Sequence, residues 1–388
     1  MTDRAHALAR KVDAFLAEHV IPFETDPRIG KHGPSDELRV ELQQKAKAQG
    51  LLAPHVGVEY GGHGLNHREI AIVFRAAGHS LLGPIALNLM APDEGNMCLI
   101  EKIGTAEQKE QVLRPLAAGD IRTAFLMTEP DGGAGSDPSM MKTTATQDGN
   151  HWVIDGMKTF ITGAEGAAHG IFMAKTEHGA TMFLAPMDAP GVSIVRVMDT
   201  IDRTMPGGHA MVKLDQVRVS SDQILGEAHE GFKYAQVRLA PARLTHCMRW
   251  WGAARRAHEI AVDYACRRQS FGKTLIDHEG VGFMLADNDI DLKQAELMID
   301  WCAGVLDAGG HGSGTAESSI AKVAVSEALF RIADRCVQVL GGIGVTDDTP
   351  VHQIFRDIRA FRIYDGPSEV HRWSIAKRIK REHKAATA

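Results

Sequence analysis

The apolar positions of this chain change their spacing twice. From the start to about residue 122 they recur every three or four residues with charges between them, as in Leu8, Val12, Phe15, Leu16 and Ala17. That period predicts amphipathic helices. In "SDELRVELQQKAKAQGLL", Ser35 caps a helix that turns Leu38, Leu42 and Ala46 to one face, and Gly50 stops it. "TAEQKEQVLRPLAAG" repeats the pattern, with Thr105 as the cap and Glu107 and Gln108 beside it. At about Thr123 the texture changes. "HWVIDGMKTFITG", "GIFMAKT", "TMFLAPM", "GVSIVRV" and "HAMVKLDQVRVS" are short, rich in β-branched and aromatic residues, and punctuated by Gly and Asp. They predict the strands of an all-β domain running to about residue 225. Within "WVIDGMKTF", Asp155-Gly156 predicts a hairpin turn. From Gly231 the helical period returns in longer runs: "FKYAQVRLAPARLTHCMRWWGAARRAHEIAVDYACRRQ", which Pro241 should bend or interrupt, then "EGVGFMLADNDIDLKQAELMIDWCAGVLDA" and "TAESSIAKVAVSEALFRIADRCVQVLGG". Helices that long, joined by Gly-rich turns, predict a bundle.

Composition narrows the class. At 388 residues the chain is too long for one ordinary core. Its 44% hydrophobic and 24% charged residues describe a folded globular protein. A net charge of −6 offers no basic field for nucleic acid. The five cysteines are odd in number and scattered, which suits buried thiols in a reducing compartment. No apolar run is long enough for a membrane span. "MTDRAHALARKVDAF" carries acids where a signal peptide would be apolar, so a cytoplasmic location is expected. The 19 histidines form neither HExxH nor a CxxC-linked set, and no metal site is expected.

Five stretches could carry chemistry. "LMTEPDGGAGSDPS" runs from a strand end into a Gly-rich loop, which suits either an ordinary surface loop or a cradle for an anion or a ring edge. It matches neither the P-loop nor the Rossmann fingerprint. In "KTFITG", Phe160 and Thr162 alternate to one face of a strand, where a flat ring could lie. "RRQSFG" ends a long helix with Arg for phosphate and Phe271 for stacking, or with charges that merely complement the helix dipole. "QVLGGIGV" closes another helix on a Gly pair. Near the C-terminus "IYDGPSEVHR" places an acid, a turn and a new helix start together.

The ordered set "MTEP…GSD", "W.IDGMKTFITG", "RRQSFGK…LADN", "QVLGGIGV" and "IYDGPSE" resembles the acyl-CoA dehydrogenase family over essentially the whole chain. "APDEGNM" and "DGPSEVH" resemble a branch associated with branched, long or hydroxylated acyl-CoA substrates. The resemblance implies an α+β fold: an N-terminal helical domain (1–122), a central β-barrel or sandwich domain (123–230) and a C-terminal four-helix bundle (231–388), with FAD bound between them. It implies that Met127 and Thr128 face the flavin ring and that Phe160, Ile161 and Thr162 line its other side near N5. Ser136 would meet phosphates or the thioester tail. Arg268, Ser270 and Phe271, with Gln338 and Gly342, would hold the FAD of a neighbouring subunit. That requires a homodimer at least, or a homotetramer built as a dimer of dimers. Arg243, Tyr364 and Gly366 would contact the acyl-CoA, and Pro367 and Glu369 the cofactor.

The resemblance also gives the acid its role. Asp365 stands where the family places a base that removes the α-proton of an acyl-CoA while the β-hydrogen leaves as hydride to flavin N5. The reaction is the α,β-dehydrogenation of β-oxidation, with electrons passed to an electron-transferring flavoprotein. Several departures stand out. The loop from Thr128 is longer than the usual "TEPxAGSD", Gly163 replaces Asn or Ser, and Pro367 has no N–H to give a cofactor. Asp365 replaces a longer Glu, and its carboxylate falls short by roughly 1–1.5 Å. An inward backbone shift at Gly366-Pro367 is the expected compensation. Ala242, on the long helix, leaves no second acid there. Two other readings make different predictions. A nitroalkane oxidase-like flavin oxidase of the same fold would bleach with nitroethane and make peroxide. A non-catalytic acyl-CoA- or FAD-binding scaffold would hold flavin that no substrate reduces.

Overall fold

The computed structural model describes residues 2–203, 205–309 and 314–387. The architecture is helical at both ends of the sequence, with a curled β-sheet in the middle. The chain divides into two compact units. One comprises residues 1–24, 66–84 and 243–388, the other 25–65 and 85–242.

The first unit is built from helices. Thr2–His19 buries Ala5, Val12, Phe15 and Leu16. It packs on His67–Ala77, which Asn66 and Glu69 close with a capping box. Arg4 holds the buried Glu69 with two nitrogens at 2.6 and 2.5 Å. The helix Thr315–Leu340 lies against Glu279–Ala308, Val351–Phe361 and Ser368–Thr387. Asp291 ties the first two together by accepting from Arg331 and Arg335. The Gly-rich turn joining those helices, at 310–313, lies outside the described residues. Gly78 and Gly252 let two helices touch backbone to backbone: a Cβ on Gly252 would stand 2.3 Å from the Arg75 carbonyl.

The second unit centres on a seven-stranded sheet in the order 123–126, 169–176, 144–148, 151–162, 209–220, 192–198, with 179–186 pairing to 169–176. Both faces of the middle strands are covered. Ile171 and Met173 enter a core with Met97, Leu113 and Leu116 from helical segments, while Phe172 and Ala174 enter another with Trp152 and Phe183.

Three local expectations change. Asp155-Gly156 is no hairpin turn. His151–Thr162 is one strand, and a register shift between Ile154 and Gly156 makes that pair a bulge. Gly156 is needed there because a Cβ would meet Thr143 Oγ1 at 2.3 Å. The actual turn is Gly149-Asn150, between paired Asp148 and His151. Pro241 does not interrupt its helix: Gly231–Arg267 is continuous, with the proline inside it. Finally, the N-terminal stretch is not purely helical, because Ile29–Gly30 and Gly33–Pro34 pair as a short β-ladder.

Candidate active site

Asp365 lies in the turn between Val351–Phe361 and Ser368–Thr387. Its φ is +54° and that of Gly366 is +100°, so two successive residues take left-handed backbone. Gly366 has no alternative, since a Cβ would approach His371 Nε2 to 2.7 Å. Two turn carbonyls are held by the half-buried Arg243 and the buried His371 and Lys322. Arg243 Nε and His371 Nε2 both lie 3.2 Å from the Asp365 carbonyl oxygen, and Lys322 Nζ donates to the Gly366 carbonyl at 2.8 Å. Lys322 is fully buried, and burial lowers its pKa to about 8. The carbonyl oxygens only accept, so the His371 ring proton sits on Nε2, and Nδ1 lies 3.1 Å from Ser319 Oγ. Burial first, then the charges of Arg243 and Lys322, depress His371 to about 4. It is a neutral ring at physiological pH.

The carboxylate has its own partner. His246 Nε2 stands 3.2 Å from Asp365 Oδ2, with the histidine side chain 6% and the aspartate 23% exposed. Arg249 Nη2 lies 2.9 Å from His246 Nδ1. An arginine nitrogen only donates, so Nδ1 is the bare nitrogen and Nε2 carries the proton given to Asp365. The tautomer is thereby set by Arg249. Residues 243, 246, 249 and 250 share one face of the long helix by their spacing. Trp250 Nε1 donates to the Tyr364 hydroxyl, and the Tyr364 ring packs 4.8 Å from that of His246.

The other expected residues lie mainly in the second unit. Phe160 has φ +54° beside a register shift between Lys158 and Ile161, which leaves its ring 59% exposed while Ile161 is buried. Thr162 and Met127 are half-buried. The backbone here is clamped from beneath. Thr159 N donates to the Thr128 carbonyl, and Lys158 Nζ reaches the Met127 carbonyl at 3.2 Å and Glu129 Oε1 at 2.9 Å. Burial pushes the Glu129 carboxyl up, but Lys158 and N–H donors from 142 and 143 outweigh it and hold it at about 2. Ser136 is exposed on its loop. In the first unit, Arg268 and Phe271 lie on an exposed hairpin, Gln269–Ser270 against Lys273–Thr274, with the Phe271 side chain 95% exposed. Gln338, Gly342 and Glu369 are exposed too. Pro367 is half-buried at the foot of the last helix. Among the described residues, no three acid, His or Cys side chains gather as a metal site.

None of His246, Lys322 and Arg249 stands in a motif that marks it in the sequence, and His371 is marked only as the end of "DGPSEVH". The available signal was helical spacing from Arg243 and the histidine that follows "DGPSEV".

The acid-bearing turn, the bulged aromatic strand and the α-β-α order together define a flavoenzyme-type fold, and the chain belongs to the acyl-CoA dehydrogenase family. The family's N-terminal, middle and C-terminal domains match residues 2–120, 124–217 and 229–380. Acyl-CoA dehydrogenase family member 11 of Gallus gallus is 37% identical over 391 residues, covering 95% of this chain. The chain spans 49% of that protein's length. "Probable acyl-CoA dehydrogenase FadE2" of Mycobacterium tuberculosis is 36% identical, with 97% of this chain and 95% of that protein covered. Among solved structures, glutaryl-CoA dehydrogenase from Mycobacterium smegmatis in complex with FADH2 superposes with a TM-score of 0.87 at 26% identity, covering 98% of this chain and 95% of that one.

Proposed function

We propose that this chain is an FAD-dependent acyl-CoA dehydrogenase in which Asp365 removes the α-proton of an acyl-CoA thioester, yielding the trans-2-enoyl-CoA. The observation that carries the reading is the Asp365 carboxylate held by His246 on a turn with pinned carbonyls. That arrangement supports an answer to the short side chain. The backbone is turned through left-handed φ at 365 and 366, and the carboxylate is fixed from the side. A base must be within reach of the proton it takes, and preorganisation supplies this without a long stem.

The residues suit FAD. The bulge presents an exposed Phe160 ring beside a half-buried Thr162, a flat apolar face with a polar edge. Met127 and Thr128 complete the ring contacts, with Ile161 buried behind that face and Ser136, Pro367 and Glu369 as further contacts to the cofactor. When bound, FAD supplies the acceptor for the β-hydrogen. Ser136, Arg243, Tyr364 and Gly366 meet the acyl-CoA. The exposed Arg268, Phe271, Gln338 and Gly342, with the half-buried Ser270, reach the FAD of a neighbouring subunit in a homodimer or a dimer of dimers. An electron-transferring flavoprotein accepts the electrons, in the cytoplasm. The three domains run 1–122, 123–230 and 231–388. No helix among the described residues is long and apolar enough to cross a membrane.

The decisive variant is Asp365→Asn. It should keep its yellow FAD and lose nearly all anaerobic bleaching across a panel of acyl-CoA esters. Bleaching at the wild-type rate would remove Asp365 as the base.

A further inference from the structure

We propose that Asp202 and His209 act through Thr162 as a positioning pair, turning the threonine hydroxyl into a hydrogen-bond acceptor toward flavin N5 so that the chain favours the reduced cofactor. The proposal rests on the reading that places N5 beside Thr162.

Thr162 and His209 are direct partners across two antiparallel strands. Thr162 Oγ1 lies 2.9 Å from His209 Nδ1, and His209 Nε2 lies 2.8 Å from Asp202 Oδ2. The Asp202 side chain is 7% exposed and that of His209 16%. Burial pushes the Asp202 carboxyl up, but its partners, the hydrogen bond from His209 foremost, outweigh it and hold it below its ordinary value. An ionised carboxylate only accepts, so in the neutral ring of His209 the single proton is on Nε2. Nδ1 is then a lone pair, and the one hydrogen it can receive is that of the Thr162 hydroxyl. Thr162 Oγ1 is left with lone pairs and no proton for a ligand.

The consequence is directional. N5 of an oxidised flavin needs a donor and finds none in this hydroxyl. N5–H of a reduced flavin needs an acceptor and finds one. A hydroxyl without the pair behind it rotates to serve either state. A Thr-His-Asp chain could also serve a nucleophilic threonine. However, the neighbouring backbone donor, Gly163 N–H, is bonded to the Gly208 carbonyl at 2.8 Å and is not free to stabilise an oxyanion.

The test uses the FAD-loaded protein at pH 8, with midpoint potential and the 15N resonance of N5 as readouts. Asp202→Asn keeps the side chain's shape. Its amide can donate to Nε2, which moves the ring proton to Nδ1 and frees the threonine hydrogen. His209→Phe frees it by removing the ring. Both should shift the oxidised N5 resonance as a new donor arrives. Both should also lower the potential by about a tenfold change in the oxidised-to-reduced ratio, about 30 mV for two electrons. Added to Thr162→Val, neither should change anything further. The proposal fails if Asp202→Asn and His209→Phe leave both readouts at wild-type values while Thr162→Val moves them. It fails equally if their shifts persist in the Thr162→Val background. If Thr162→Val itself leaves the midpoint potential and the reduced N5–H resonance unmoved in a protein that holds FAD, the placement of N5 is wrong, and that outcome is distinct from the other two.

Discussion

Asp365 is held by groups that a linear reading does not connect. Its identity as the candidate acid was legible because the surrounding motif is contiguous. His246 and Arg249 were not, because their tie to it is a tertiary contact. Replacing His246 by Phe should leave FAD content unchanged and slow flavin reduction on the order of 100-fold, the scale of a misplaced base, in stopped-flow bleaching. An unchanged rate would show that the carboxylate is positioned by other groups. His371 makes a second residue-scale prediction. Its ordinary value of 6.5 falls to about 4 in the folded protein, so between those pH values the unfolded chain binds more protons. Stability therefore rises with pH through this window, and acid costs on the order of 3 kcal/mol at its lower end. Denaturant midpoints between pH 4 and 7 should show that slope, and His371→Gln should flatten it.

Among the elements, the strand 151–162 shows where periodicity misleads. Asp155-Gly156 has turn composition, yet the strand runs through it because pairing with 209–220 resumes on both sides. Composition reports what a backbone tolerates; the partner strand decides what it does. The second irregularity, at Phe160, places a bulky residue at positive φ, a strain of roughly 1–3 kcal/mol that surrounding structure must sustain. The Lys158–Glu129 pair beneath it is one such support. Glu129→Gln leaves a buried ammonium uncompensated and should destabilise by about 3–5 kcal/mol in denaturant titration. In the helical unit, Gly252→Ala should cost at least about 1–3 kcal/mol by the same measurement, because the added Cβ meets backbone that cannot rotate away.

For the whole molecule, the exposed Phe271 hairpin is the feature most at odds with an isolated chain. Phe271→Asp with Arg268→Ala should reduce both FAD occupancy, read from absorbance, and assembly size, read from light scattering. Loss of neither would remove the neighbouring subunit from the cofactor site. The sequence alone determined the α-β-α order and the family, and marked the candidate acid. Helical and strand periods, caps and contiguous motifs are local properties, written within a few residues of one another. Only the tertiary structure decided that Asp155-Gly156 is a bulge, that Pro241 lies within a continuous helix, and which ring nitrogens of His209, His246 and His371 carry a proton. A backbone irregularity depends on its partner strand, and a tautomer on the donors around the ring. Those partners come from distant parts of the chain, and folding alone brings them within bonding distance.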